Sequence, residues 1–259
     1  MKTVILAGGR GTRISEEGNL RPKPMVEIGG FPIVWHIMKY YSRFGYNDFI
    51  ICCGYNGYFI KEYFAQYFLH ASDVTFDFSK NNEMTVHNNV SEPWRVTIVD
   101  TGLDAQTGCR IKRIQNYVGD ESFFLTYGDG VSNIDLGVLL NQHMKSDNIV
   151  TMSIIKPVGR FGIVEIDSEK NQAISFREKN KEDTAWINGG FMVANSDLFK
   201  YLQDNENCIL ERAPLERICA EDKLGVYQHK GFWQCMDTPR DRVYLEKLWM
   251  TNKAPWKIW

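Results

Sequence analysis

Residues 3–13, Thr-Val-Ile-Leu-Ala-Gly-Gly-Arg-Gly-Thr-Arg, constrain the fold more than any other stretch of this chain. Thr3 to Ala7 is a short apolar run of the length and composition of a buried strand. It runs directly into Gly8-Gly9-Arg10-Gly11-Thr12-Arg13. Glycine lets backbone N–H groups approach a ligand closely and adopt positive φ. Successive N–H groups of that kind form a concave anion site, and guanidinium groups match phosphate oxygens well. Lys23 lies ten residues past Arg13, between Pro22 and Pro24, whose rings restrict the backbone on both sides. Loop and lysine together predict a grip on a polyphosphate. The loop alone leaves a ligand-free glycine turn open. The dinucleotide pattern G-x-G-x-x-G fails for want of a third glycine. The pattern G-x-x-x-x-G-K-[ST] fails because Lys23 is distant and no hydroxyl residue follows it.

With 259 residues and no repeat, low-complexity segment or Pro/Ser-rich linker, the chain reads as a single domain spanning 1–259, with 72–100 as a β insertion within it. A formal charge of −2 gives no global pull toward nucleic acid or an anionic membrane, so an anion site must be local. The six cysteines form no C-x-x-C pair or zinc spacing, and no charged-then-apolar leader precedes the first strand. Free thiols in a reducing cytoplasm are therefore expected. No apolar run approaches the length of a membrane span. Aromatic residues make up 13%, which points to core or subunit-interface material.

Further along, Pro32 opens a helix with apolar positions at Ile33, Val34, Ile37, Met38 and Tyr41, and His36 on it is read as structural. Phe49 to Cys53 is a second buried strand and Tyr58 to Tyr67 a second helix, so the order strand–helix–strand–helix predicts a mainly parallel sheet with helices on its faces. Val74–Phe78 and Met84–His87 alternate around Asn81-Asn82, which predicts a hairpin in a small accessory sheet. Val96 to Asp100 returns to the core. A polar loop carrying Thr107 and Arg110 is expected before a helix over 111–117; an arginine at a helix start is poorly placed for the dipole, so either solvation or an anion contact accounts for it.

Phe123 to Tyr127 runs straight into Gly128-Asp129-Gly130. An acid between glycines at a strand's carboxyl end sits where open α/β sheets place ligand groups, although Asp-Gly is also a common turn dipeptide. Beside a phosphate loop, a Mg²⁺ ligand is the better reading, since Mg²⁺ takes one or two carboxylates plus phosphate oxygens. Ile163–Asp167 is expected to pair with Ala173–Phe176. Glu178-Lys179 follows, for which a solvated charge pair is the bland reading. Helices are expected at 198–203 and 214–220, a strand at 224–227, and a last helix from Pro239 to Met250. Asp237 is a second isolated acid, after an aromatic run.

These pieces carry a family resemblance. LAGGRGTR…RPKPM, then YGDG at 127–130, REK at 177–179, NGGF at 188–191 and MDT at 236–238 resemble the signature of the sugar-phosphate nucleotidyltransferases, in that family's order and over nearly the whole chain. The strings PKPMVEIGG, PIVWHIM, DFIICCGYNGY and GFWQCMDT are similar to its cytidylyl-transferring branch. The resemblance implies an α/β fold: a Rossmann-like, mostly parallel but mixed central sheet flanked by helices, a small accessory β-hairpin and a C-terminal helical region. It implies that Leu6, Ala7, Gly8, Gly9, Arg10, Gly11, Thr12 and Arg13 wrap the nucleotide, and that Lys23 reaches its phosphates. Thr107, Arg110 and Gly128 would be further nucleotide contacts, the first two at positions that could reach a neighbouring subunit. Asp129 and Asp237 would hold Mg²⁺. Glu178 and Lys179 would contact the sugar phosphate, with Asn188-Gly189 a sugar-side loop. Arg13, Lys23 and Asp129 would form the catalytic set.

The implied substrates are CTP and glucose 1-phosphate, giving CDP-glucose and pyrophosphate, a product that feeds deoxysugar synthesis for bacterial surface polysaccharides. A homo-oligomer in the cytoplasm, with no nucleic-acid or membrane partner, is expected. The same chemistry with dTTP, UTP or another sugar 1-phosphate is the nearest alternative. A non-catalytic nucleotide-sugar sensor on the same fold would be marked by loss of Lys23, Asp129 or Asp237, and all three are present. A NAD-linked oxidoreductase lacks its glycine pattern here.

Overall fold

Strand β1 (Lys2–Ala7) is the apolar run that begins the chain, buried from Thr3 onward. The computed structural model describes residues 1–9, 21–157, 163–167, 172–177 and 185–259. A 3-10 turn at Lys23–Met25 leads into the two-residue strands β2 (Glu27–Ile28) and β3 (Phe31–Pro32), which pair antiparallel. Pro32, with φ −58° already close to helical, precedes α1 (Ile33–Arg43). Ile33, Val34, Ile37, Met38 and Tyr41 are all buried, as their spacing requires. Next come β4 (Asp48–Cys53), α2 (Gly57–Ala65) and α3 (Tyr67–His70). The hairpin β5 (Ser72–Asp77) and β6 (Glu83–Asn89) forms a separate two-stranded sheet, turning through Asn81 and Asn82 at φ 56° and 60°. Asparagine tolerates that left-handed conformation better than most residues. Of the span 72–100, residues 95–100 are β7 (Arg95–Asp100), an edge strand of the central sheet.

The helix expected over 111–117 instead begins four residues earlier, as α4 (Thr107–Arg113), and is followed by the single turn α5 (Gln115–Val118). The Cys109 N–H donates to the Cys208 carbonyl at 3.1 Å, a long-range bond that local periodicity does not encode. Arg110 therefore lies inside the helix rather than at its start. The remaining elements are β8 (Phe123–Tyr127), β9 (Gly130–Ser132), α6 (Leu136–Met144), β10 (Val150–Ile155), β11 (Ile163–Asp167) and β12 (Gln172–Arg177). After them come β13 (Ile187–Ala194), α7 (Ala213–Ala220), β14 (Leu224–His229), β15 (Trp233–Cys235) and α8 (Pro239–Met250). The helix expected at 198–203 is a 3-10 segment, Ser196–Lys200, started by the Asn195 side chain accepting from the Asp197 N–H.

The central sheet has seven strands in the order β14-β10-β13-β8-β1-β4-β7. All pairs are parallel except those made by β13, which runs antiparallel between β10 and β8. Alternation sends Ile5 and Ala7 into one core, with α1, α6 and α8, and Val4 and Leu6 into the other, with α4, α5 and α7. Both faces are covered, so the inner strands are mostly apolar, while the edge strands β7 and β14 are more exposed. Each fully buried phenylalanine of these cores, such as Phe49, Phe123 and Phe124, contributes about 1.5–3 kcal/mol. Trp256, fully buried, brings the C-terminal tail back onto α1, where its indole N–H donates to His36 Nδ1 at 3.3 Å.

From β1 the chain winds outward through β4 to β7, then returns to place β8 on the other side of β1. The strand order therefore reverses between β1 and β8. Ligands of open α/β sheets bind in the crevice beyond the carboxyl ends at such a switch point. Gly8 and Gly128 open on either side of it.

Candidate active site

In-phase register sets Leu6 beside Cys52 on one side and Tyr127 on the other, so the loops after β1, β4 and β8 emerge together. They border a cavity of about 340 Å³. Leu6, Ala7, Gly8 and Gly9 line one wall; Lys23, Gly128 and Asp129 another; Thr107 and Arg110 lie across from them. The structure thus brings nine of the expected nucleotide and catalytic residues to one cavity. Arg10, Gly11, Thr12, Arg13, Glu178 and Lys179 lie outside the described residues.

Lys23 is aimed by its neighbours. Pro22 is extended and buried, and its carbonyl accepts from the Met25 N–H at 2.8 Å, closing the 3-10 turn that contains Lys23 and the buried Pro24. The Lys23 ammonium donates to Asp129 Oδ2 and to Asp237 Oδ1, each at 2.5 Å. Burial alone would lower its pKa, but the Asp129 and Asp237 carboxylates outweigh burial and raise it.

Asp237 reaches this point through a pairing of two three-residue strands. In β9–β15, Cys235 lies opposite Gly130, and the Met236 N–H donates to the Asp129 carbonyl at 2.8 Å. The capping box of α8 then fixes the carboxyl side of Asp237. Thr238 accepts from the Asp241 N–H, and Asp241 Oδ2 accepts from the backbone N–H groups of Thr238 and Asp237 at 2.9 and 3.2 Å. The Cys235 thiol donates to Asp237 Oδ2 at 3.2 Å. Burial, assisted by Asp237, pushes that thiol up to about 12, so it is a protonated donor at neutral pH.

Arg110 is 5% exposed. Its Nη1 donates to the carbonyls of Cys53 and Gly102 at 2.9 and 2.7 Å and to Thr101 Oγ1 at 2.9 Å; its Nη2 donates to the carbonyls of Gly8 and Leu103 at 3.0 and 3.3 Å. The guanidinium is neither solvated nor pointed only at the cavity: it ties the last residue of β4 to the loops that follow β1 and β7. A Cβ on Gly8 would fall 2.2 Å from Arg110 Cζ, so glycine is required there by close approach. Burial lowers the Arg110 pKa, but an arginine remains charged. Its described hydrogen-bond partners are all neutral, while Asp104 lines the same wall of the cavity.

Asn188 and Gly189, at the start of β13, do not line the cavity but connect to it. Asn188 Nδ2 donates to the Tyr127 hydroxyl at 3.0 Å, and the Gly189 carbonyl accepts from Trp233 Nε1 at 2.7 Å. Sequence reasoning missed three residues here. Cys235 had a signal, since residues two apart in an extended segment point to the same face and Asp237 is two positions on. Tyr127 lay inside a quoted motif without a role. Glu211, whose carboxylate accepts from the Thr107 and Tyr127 hydroxyls, carries no local signal.

The two carboxylates also fit a divalent cation. Hard oxygens from Asp129 and Asp237 already converge on one cationic nitrogen, and two carboxylates beside a cavity with room for phosphate groups are a Mg²⁺-type donor set. Among the described residues no group of three His, Cys, Asp or Glu could hold a metal.

The nucleotidyl transferase family model matches residues 2–238. The chain belongs to the nucleotidyl transferase family. A glucose-1-phosphate cytidylyltransferase of Salmonella typhi is 54% identical over 260 residues, covering all of both chains. A Bacillus subtilis (strain 168) protein named "Probable glucose-1-phosphate cytidylyltransferase" is 41% identical over 259 residues, again covering both chains fully. In fold, the chain is similar to a solved UDP-glucose pyrophosphorylase from Acinetobacter baumanii, with a TM-score of 0.68 and 16% identity over 95% of this chain and 92% of that one. The mixed Rossmann-like sheet expected from the resemblance is the sheet observed. Among the described residues, no helix is long and apolar enough to cross a membrane.

Proposed function

We propose that this nucleotidyltransferase moves a cytidylyl group from CTP to α-D-glucose 1-phosphate, releasing pyrophosphate and CDP-glucose. The observation that carries the reading is the convergence of Lys23, Asp129 and Asp237 at the mouth of the β1–β8 crevice. Full-length likeness to the Salmonella cytidylyltransferase supports the choice of substrates.

A phosphate oxygen of the sugar phosphate attacks the α-phosphorus of CTP, the bond to the α–β bridging oxygen breaks, and that oxygen leaves with pyrophosphate. The attacking oxygen is already ionised, so no general base is needed. The difficulty is electrostatic, because one anion must approach another. Lys23 meets it by placing a cation where the phosphates converge, and Arg110 holds the Gly8 carbonyl, and with it the loop after β1, in place beside them. Asp129 and Asp237 would hold Mg²⁺, which when bound neutralises phosphate charge. Arg13, Glu178 and Lys179 keep the roles that the family resemblance implies for them, as do Arg10, Gly11 and Thr12 in wrapping the nucleotide.

Pyrophosphate release measured for CTP, UTP, dTTP, ATP and GTP against several hexose 1-phosphates tests the reading. Preferred turnover of CTP with glucose 1-phosphate is expected; no turnover with any pair would favour a nucleotide-sugar sensor. Self-association is part of the same reading. Phe76, Phe78 and Met84 on the β5–β6 hairpin are 51%, 79% and 43% exposed, an apolar surface suited to a second copy. Light scattering that found only monomer at working concentration would reject this part.

A further inference from the structure

We propose that Glu211 is a positioning residue that couples the nucleotide side of the site to its sugar-phosphate side, acting through Thr107 and Tyr127. The inference rests on the reading above, in which Thr107 faces the nucleotide and Asn188 the sugar.

Glu211 lies in the turn before α7, far in sequence from either wall. The Thr107 hydroxyl donates to its Oε2 at 2.6 Å, and the Tyr127 hydroxyl donates to its Oε1. Each hydroxyl also accepts a bond: Thr107 Oγ1 from the Leu210 N–H at 2.9 Å, and Tyr127 from Asn188 Nδ2 at 3.0 Å. A carboxylate only accepts, so both hydroxyls must turn their protons to it and their lone pairs away. This fixes the polarity of the chain from Asn188 to Thr107. Asn188 Oδ1 accepts from the Gly190 N–H at 2.8 Å, so its amide cannot flip without losing both bonds. Among the described residues no partner takes the second amide hydrogen, which is left to offer a sugar hydroxyl.

Packing holds the central link. Gly190 adopts φ +81°, and a Cβ there would lie 2.6 Å from Tyr127 Cδ2, so the absence of a side chain makes room for the ring. Tyr127 is also the residue before Gly128-Asp129. A shift of its ring therefore moves the backbone that carries a candidate metal ligand. A carboxylate beside a site for two polyanions is electrostatically unfavourable for binding them. Its position is accounted for by the two hydroxyls it orients.

The test compares the parent enzyme with Glu211→Gln, Tyr127→Phe and the double variant, in initial-rate kinetics with both substrates varied. In Glu211→Gln one acceptor becomes a donor, so one of the two hydroxyls loses its partner while the shape is retained. The KM for glucose 1-phosphate is expected to rise about 5- to 20-fold, less than the roughly 10- to 150-fold of a hydrogen bond to a charged group lost outright, because Glu211 acts through Tyr127 and Asn188. The enhancement of sugar-phosphate binding by bound CTP should fall toward none. The double variant should resemble either single one, because both cut the same chain. Thermal unfolding within about 2 °C of the parent would exclude a merely structural effect. Unchanged KM and unchanged coupling in Glu211→Gln, with a normal parent, would overturn the proposal. So would a fully additive double variant. A parent inactive with CTP and glucose 1-phosphate would instead overturn the functional reading.

Discussion

Gly130 and Cys235 face each other across the antiparallel β9–β15 pair, and that register supplies the site with its second carboxylate. Asp129 precedes one strand and Asp237 follows the other, so the pairing sets them on the same side of Lys23. Two acids far apart in the chain thereby share one cation. The ammonium stabilises the pair only while nothing more highly charged competes for it.

Replacement of Lys23 by alanine tests that sharing. Lys23→Ala should fold, because the turn around it is held by Pro22, Pro24 and backbone bonds. Turnover should drop by on the order of 10²-fold or more, the size seen when a donor to developing charge is removed. Freed of their ammonium, Asp129 and Asp237 should bind Mn²⁺ or Mg²⁺ more tightly in the absence of nucleotide. Calorimetric titration and steady-state rates read the two effects separately. Near-native kcat, or weaker metal binding, would contradict the role assigned to Lys23.

Asp237→Ala should raise the Mg²⁺ concentration needed for half-maximal activity, and unchanged metal dependence would leave Asp129 as the sole ligand. Cys235→Ala removes the thiol that donates to Asp237 Oδ2. A thiol is a weak donor, so a rise of only about 2- to 5-fold in the Mg²⁺ requirement is expected, with Cys235→Ser recovering part of it. Activity measured across a Mg²⁺ series for the three variants checks the ranking.

Much of this architecture can be read from residue order. Apolar runs at 3–7, 49–53 and 123–127 announce buried strands, and glycines directly after the first and third mark where the sheet opens. Asp129 is legible because it sits between two glycines at a strand end. The convergence on Lys23 is not, since β9 and β15 have three residues each and no periodicity can identify strands so short. Arg110 shows the same limit differently. Its position in the sequence suggests either solvation or an anion contact, whereas five of its bonds go to backbone carbonyls and a hydroxyl that only the folded chain brings together. Glu211 reads locally as one charge among several before a helix.

Arg110→Lys tests whether that guanidinium acts as a clamp. One ammonium cannot reach carbonyls at the ends of three different strands, so several buried acceptors would lose their donor. A loss of about 2–4 kcal/mol is expected, or roughly 5–15 °C in Tm, together with a raised KM for CTP as the Gly8 carbonyl relaxes. Differential scanning fluorimetry beside kinetics distinguishes the cases. An unchanged Tm with a raised KM would mean a direct nucleotide contact with no clamping role.

His36 predicts the acid limit of stability. Burial pulls its pKa down to about 4, because the ring is enclosed between α1 and the returning tail, although bonds to the Ile28 and Phe31 backbone oppose the shift and Lys257 adds to it. Nε2–H donates to the Ile28 carbonyl at 2.8 Å while Nδ1 accepts from Trp256, so a proton added at Nδ1 would oppose the indole N–H. Between the ordinary value near 6.5 and about 4, the unfolded chain binds the proton and the folded one does not. Stability is therefore present in full above pH 6.5 and falls as the pH is lowered toward 4, by on the order of 3 kcal/mol from this group. His36→Gln will be less stable at pH 7, but its stability should change less between pH 6.5 and 4 than that of the parent. Urea unfolding of both proteins at half-unit intervals gives the two slopes, and parallel curves would remove His36 as the cause.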